Sequence, residues 1–344
     1  MKASEWRKTL PSMQLAAQPQ IVEALLDPSM RVPIEWVGIP FSGGGHNAIL
    51  YVGCDSMMVG EPGDCVRVDL NCRSHQMVCD ALGLQLPTAK MFDLIYANRE
   101  VAVEPMTFNP TGSIITVVDP ATGQNVSVDM SSTVAMFAHD ARVTAGVDGR
   151  AGLVCNSGKA WTLKASLGGQ TQGDWTVANY AWYSKSAPYT SVSGGFKLWQ
   201  PLSTTHNAGH CDYSQVAYAI HPMMLVNGGQ MPTADVITSP EYAALVSHEG
   251  ALPWARHPML DFYVPPQGVV NIAPPIESIR LVGQPGAGSG GGLGPIGVIG
   301  AETIGKAAAI VAGAYAGWKL AQAIMNWEVA PWYGTAEMAG NFRR

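Results

Sequence analysis

Apolar and polar positions alternate along this chain with two different periods. Residues Ser12 to Leu26 carry apolar side chains at helical spacing, and Asp27-Pro28 closes the run. Ile34 to Val59 alternates with period two and breaks at Gly43-Gly44-Gly45, Gly53 and Gly60, which predicts short strands joined by a turn. Ser74 to Gly83 reads as a helix, with Ser74 as its N-cap and Gly83 as its stop. Pro87-Thr88 opens another helix whose buried face is expected to carry Met91, Ile95 and Leu94. Strand-like runs follow at Ser113–Val118, Val126–Met130, Leu153–Leu163, Trp175–Tyr183, Phe196–Leu198 and Val216–Ile220. The pattern predicts an α+β fold, with early helices packed on a later, mainly antiparallel sheet.

The organisation changes sharply near the end. Residues 283–295 have the composition of a flexible linker, with glycine at most positions. The segment that follows, Ile296 to Met325, is rich in Ala, Gly, Ile and Val. Gly305, Ala309 and Gly313 recur every four residues, so a helix here would present a small-residue face that another backbone can approach closely. Glu302, Lys306 and Lys319 confine its apolar stretch to Ala307–Trp318, shorter than the roughly 20 residues a membrane span needs. Three readings stay open for it: an assembly helix, an ordinary docked C-terminal helix and a segment that contacts a membrane. The expected divisions are 1–56 as an N-terminal helix with strands, 57–282 as the core, 283–295 as linker and 296–344 as C-terminal helix and tail.

Composition narrows the possible roles. Charged residues make up 13% of the 344, about half of the roughly 25% usual in soluble domains. Such a surface is weakly protected against association, which favours burial by other chains. The formal net charge of -6 offers no basic field for a phosphate backbone, so no nucleic-acid partner is expected. The N-terminus has basic residues but no continuous apolar run, so a Sec signal peptide is not expected. The spacing of Cys65, Cys72 and Cys79 is not that of a zinc ribbon, and free buried thiols are the simplest reading of the six cysteines.

The densest chemistry lies in His206-Asn207-Ala208-Gly209-His210-Cys211-Asp212-Tyr213-Ser214. His206 and His210, with Cys211 or Asp212 as a third ligand, would make a zinc set if the run were helical. Asn207 and Gly209 favour a loop leading into a strand, and then no cofactor is expected. Ser214 or Cys155 could serve as nucleophile to His206, oriented by Asp212, although neither sits in a recognised nucleophile motif. The cluster Trp175, Tyr180, Trp182, Tyr183, Tyr189 and Trp199 could stack on sugar rings, with Trp182 and Tyr213 as substrate-binding candidates; core packing is the competing reading, and for Tyr213 a hydrogen bond across a turn. Gly43-Gly44-Gly45-His46 lacks the Lys-Ser/Thr of a phosphate loop and reads as a hairpin turn. Lys90 and Asp93 form a polar pair on their helix.

Gly60 to Tyr96 resembles an uncharacterised family found in bacteria and their phages. The resemblance rests on Cys65-Val66-Arg67-Val68-Asp69, on Val78-Cys79-Asp80-Ala81-Leu82-Gly83, and on Leu86-Pro87-Thr88-Ala89-Lys90-Met91-Phe92-Asp93-Leu94-Ile95. Pro201-Leu202, His206 and Cys211-Asp212-Tyr213-Ser214 follow in the family's order, and a weaker match runs through Met231-Pro232 and Ser247-His248-Glu249-Gly250. Some members are joined to peptidoglycan-binding modules, so the resemblance implies work on or near the bacterial cell wall. The family's histidine after Asp-Tyr-Ser is Gln215 here, and glutamine cannot act as a base near neutral pH. The expectation is therefore a structural or assembly protein of a phage particle, found in the virion or in the host cytoplasm before assembly. It would contact copies of itself or other virion subunits. The alternative is a phage-carried peptidoglycan hydrolase working through His206, His210, Asp212 and Ser214.

Overall fold

The computed structural model describes residues 1–191 and 195–284, which belong to one compact unit, Met1–Gly288. The linker beyond Gln284 and the expected assembly face of Gly305, Ala309 and Gly313 lie outside the described residues.

The predicted early strands form a hairpin, Trp36–Gly43 paired with His46–Ser56, and Gly44 and Gly45 supply the positive φ angles of its turn. This hairpin is the centre of a six-stranded sheet, completed by strands from much later in the chain. Tyr218–Ile220 and Met223–Val226 pair antiparallel with His46–Ser56, and Gly229–Pro232 lies at the outer edge. On the other side Arg280–Leu281 pairs parallel with Val37 and Gly38. Residues on both sides of position 56 share this sheet, since Ser56 pairs with Tyr218. Helices and sheet are also not segregated along the chain, because a helix at Thr133–Val147 follows the hairpin 114–129.

A second, five-stranded sheet is built on Asp174–Tyr183 and Lys197–Asn207, with Ala160–Thr162, Gln170–Thr171 and Tyr189–Thr190 along its edges. The pairing of its two long strands slips twice, between Val177 and Asn179 and between Asn179 and Ala181. Ala181 and Trp182 both have positive φ, at 104° and 71°. Such backbone is costly for residues with a side chain and persists only when the surroundings enforce it. Its result is that Tyr180 and Tyr183, three apart, send their hydroxyls to the same carboxylate.

The helices sit as their termini dictate. Gln14–Leu26 packs beside Cys72–Leu82, and Ile21, Leu25, Val78 and Leu82 share an apolar cluster with Val59 and Val68. The cap of the second helix is Asn71, whose side chain accepts from the Ser74 amide, one turn earlier than the predicted Ser74. Gly83 ends it in the left-handed conformation, as expected of a glycine stop. Thr88 caps Ala89–Ala97, whose Met91, Phe92 and Ile95 enter the main core with Val37, Leu50 and Val52. Among the described residues no helix is long and apolar enough to cross a membrane.

Candidate functional site

His206 closes the strand Lys197–Asn207, where it pairs with Val177, and Ala208 to Ser214 turn back beneath it. The run is a loop and not a helix, and this decides where its side chains go. The His206 and His210 rings stack on each other, 3.8 Å apart and 11° from parallel, with Trp161 edge-on to both. Cys211 points away, its Sγ 3.0 Å from Gln14 Oε1. The zinc set His206, His210 and Cys211 is therefore not assembled. Among the described residues no group of three or more His, Cys, Asp or Glu side chains could hold a metal ion.

Asp212 is the hub of the loop. Its Oδ1 accepts from the Ser214 amide at 2.9 Å and the Ser214 hydroxyl at 2.5 Å. Its Oδ2 accepts from Lys159 Nζ and from Gln215 Nε2, each at 3.3 Å. Gln215 Oε1 in turn accepts from the Asp212 amide at 2.6 Å, so the glutamine clasps both ends of the aspartate. His210 Nε2 approaches to 3.5 Å without making a directed hydrogen bond. Burial works to raise the Asp212 carboxyl, but Lys159, His210 and Ser214 outweigh it and hold the group well below the usual carboxylate range. Lys159 reaches this point because Gly158 lets the two backbones touch. A Cβ at 158 would stand 2.6 Å from Ser214 O, and the Lys159 amide donates to that same oxygen.

Several buried polar groups surround the hub. Asp69 is 1% exposed, its Oδ2 lacks a protein partner, and burial beside Asp212 pushes its carboxyl far up. Burial pushes His139 down to about 3, and its Nε2 and the Nε1 of Trp182 also lack protein partners. Trp182 and Tyr213 are both buried, with rings 6.3 Å apart, and Lys159 Nζ lies over the Trp182 ring. The Tyr213 hydroxyl accepts from the Phe108 amide, a hydrogen bond that braces the loop. Ser214 is 1% exposed, and Cys155 is 1% exposed with its thiol pushed up to about 12 by burial. Neither offers an accessible nucleophile. His206 stays half-buried, driven down to about 4 by burial and by the neighbouring His210 and Lys159 charges.

A second polar cluster was not foreseen as a unit. Asp93, on the helix Ala89–Ala97, accepts at Oδ1 from Tyr180 at 2.9 Å and Tyr183 at 2.7 Å, while its Oδ2 lies 2.9 Å from His248 Nε2. The loop bearing His248 is tied to the same helix at two further points: Thr88 Oγ1 donates to Val246 O, and Lys90 Nζ donates to Ala244 O. Lys90 is thus an anchor for the loop. The two segments that meet here, Leu86–Ile95 and Ser247–Gly250, are both among those that carry the family resemblance, but nothing in their spacing says that they touch. Lys159 gave no motif at all. Comparison with protein-family models, with curated proteins and with solved structures finds no match for this chain.

Proposed function

We propose that this chain is a structural subunit of a multi-subunit assembly, a phage particle in the reading its motifs favour, and that it meets copies of itself or other virion subunits there. The observation that carries this is a run of exposed apolar side chains on the irregular stretch 259–270, where Met259, Phe262, Val264, Val269 and Val270 are between 37% and 60% exposed. We take this run to form an apolar patch of the kind that marks an interaction surface. The low charge content supports the same reading. The Asp212 loop supports it too: its carboxylate and hydroxyl are spent on each other and on Lys159, as in a folding brace.

Sedimentation velocity on the full chain tests the proposal, with Phe262→Asp/Val264→Asp alongside. Self-association, or co-assembly with structural proteins from the same particle, that is lost in the double variant supports it. A chain that stays monomeric and joins no particle defeats it. The hydrolase reading through His206, His210, Asp212 and Ser214 predicts clearing zones on peptidoglycan gels that His206→Ala abolishes. The sealed Ser214 argues against that outcome.

A further inference from the structure

We propose that His248, oriented by Asp93, is the general base of a hydrolytic site that accepts an ester or amide carbonyl carried on a sugar. This goes beyond the assembly role and does not depend on it. A carboxylate can only accept, so the Asp93–His248 contact places the imidazole hydrogen on Nε2. The lone pair then falls on Nδ1, which has no hydrogen-bond partner among the described residues. Asp93 is 3% exposed and His248 keeps 11% of its side chain open, so the carboxylate is sealed while the base remains reachable. Two phenol hydroxyls donate to the other carboxylate oxygen and fix its orientation. The imidazole is therefore fixed in tautomer and orientation by a third group, as acid–base catalysis requires.

The substrate class comes from the sheet beside it. Tyr183 is in register with Leu198, and Leu198 with Tyr189 on the next strand. The Tyr189 side chain therefore stands on the same sheet face as Tyr183, two strands and about 10 Å away. Tyr189 is half exposed, whereas Tyr183 is buried under the stacked ring of Tyr96. An exposed ring on the sheet face that carries Tyr183, whose hydroxyl meets Asp93, suits the apolar face of a sugar with its acyl group turned toward His248. The strained backbone at Ala181 and Trp182, which aims both tyrosines at Asp93, fits a site whose geometry is enforced.

In the step proposed, Nδ1 takes a proton from water as its oxygen adds to the carbonyl carbon. The tetrahedral adduct collapses by breaking the bond to the alcohol or amine. The leaving group receives the proton from His248, which restores the neutral imidazole. The other ionisable groups nearby are already engaged: Lys90 with Ala244 O, and Lys164 with Glu249 at 3.6 Å.

The test uses the full chain on three probes: p-nitrophenyl acetate, an acetylated polysaccharide assayed for released acetate, and purified peptidoglycan assayed for released peptide. Wild type should hydrolyse p-nitrophenyl acetate and one of the two polymers, which identifies the source of the acyl group, with a rate that falls on the acid side. His248→Ala should lose at least 100-fold, on the order expected for a general base, and added imidazole should restore part of it. Asp93 is a positioning residue, so Asp93→Asn should lower kcat with little change in KM and shift the acid limb. Tyr189→Ala should raise KM on the polymer but not on p-nitrophenyl acetate. Absence of hydrolysis on all three probes, or a folded His248→Ala that keeps wild-type rates, would overturn the proposal. A merely structural dyad would give no imidazole rescue.

Discussion

Lys159 and Asp212 stand 3.3 Å apart with side chains only 11% and 8% exposed, joined by a contact that spans 53 residues of sequence. Neither charge could remain in such a place alone. Replacing Lys159 with Met should strand the carboxylate and cost about 3–5 kcal/mol, the range for breaking a buried pair from one side. The double variant Lys159→Met/Asp212→Asn should recover part of that loss. Urea denaturation of the four proteins would measure the coupling, and additive losses would show that the pair contributes little.

Gln215 is fully buried with both ends of its amide in use. Gln215→His should not create a base. It should lose one of the two bonds to Asp212 and strain the packing, costing about 1–3 kcal/mol. Peptidoglycan gels and thermal melts on the same sample would test both halves. A clearing zone gained by Gln215→His would reverse the view of this loop as a brace.

Acid should destabilise the unit through its buried histidines. Burial pushes His75 down to about 4 and His139 down to about 3, against an ordinary value near 6.5. Because the folded values are depressed, the unfolded chain binds these protons first as pH falls, so stability is lost from about pH 6.5 down to about pH 4 for His75 and about pH 3 for His139. Both groups contribute nothing above that window. Denaturation midpoints at pH 7.5, 6, 5 and 4 should decline accordingly, and His75→Gln should flatten the slope. An unchanged slope in that variant would remove His75 from the account.

Thiol chemistry should be confined to one residue. All six cysteines are free; Cys65 is half-buried, and burial pushes Cys54 and Cys72 up to about 12. A thiol reagent at neutral pH should label Cys65 first in the folded chain and all six after denaturation. Mass spectrometry of the peptides would identify the sites, and rapid labelling of Cys155 or Cys211 would contradict their burial.

Local features were legible in the sequence because local chemistry causes them. The Gly44-Gly45 turn, the Thr88 cap and the Gly83 stop each follow from a backbone requirement within a few residues. Asn71 displaced Ser74 as cap because its carbonyl reaches the Ser74 amide while the Ser74 side chain is buried. The helix Thr133–Val147 was overlooked, since its buried face mixes Ala135, Met136 and Ala138 with His139 and Asp140. Apolar periodicity is blurred there, because Asp140 is used to hold the buried Arg67. The polar run at 206–214 was conspicuous, but its meaning depended on Lys159, which no spacing rule connects to it. The Asp93–His248 contact was equally out of reach, since a separation of 155 residues leaves no pattern to read.

The parallel pairing of Val37 and Gly38 with Arg280 and Leu281 sets an order of events during synthesis. The first strand leaves the ribosome long before its outer neighbour exists. At about 5–20 residues per second, that edge stays open for on the order of ten seconds or more. During that interval its unpaired amides and carbonyls can recruit a strand from another nascent chain. A chain truncated before residue 280 would keep this edge open permanently, so aggregation during expression should increase abruptly at that point. The short strand Arg280–Leu281 thus works as a closing latch, and its absence would be felt first in yield.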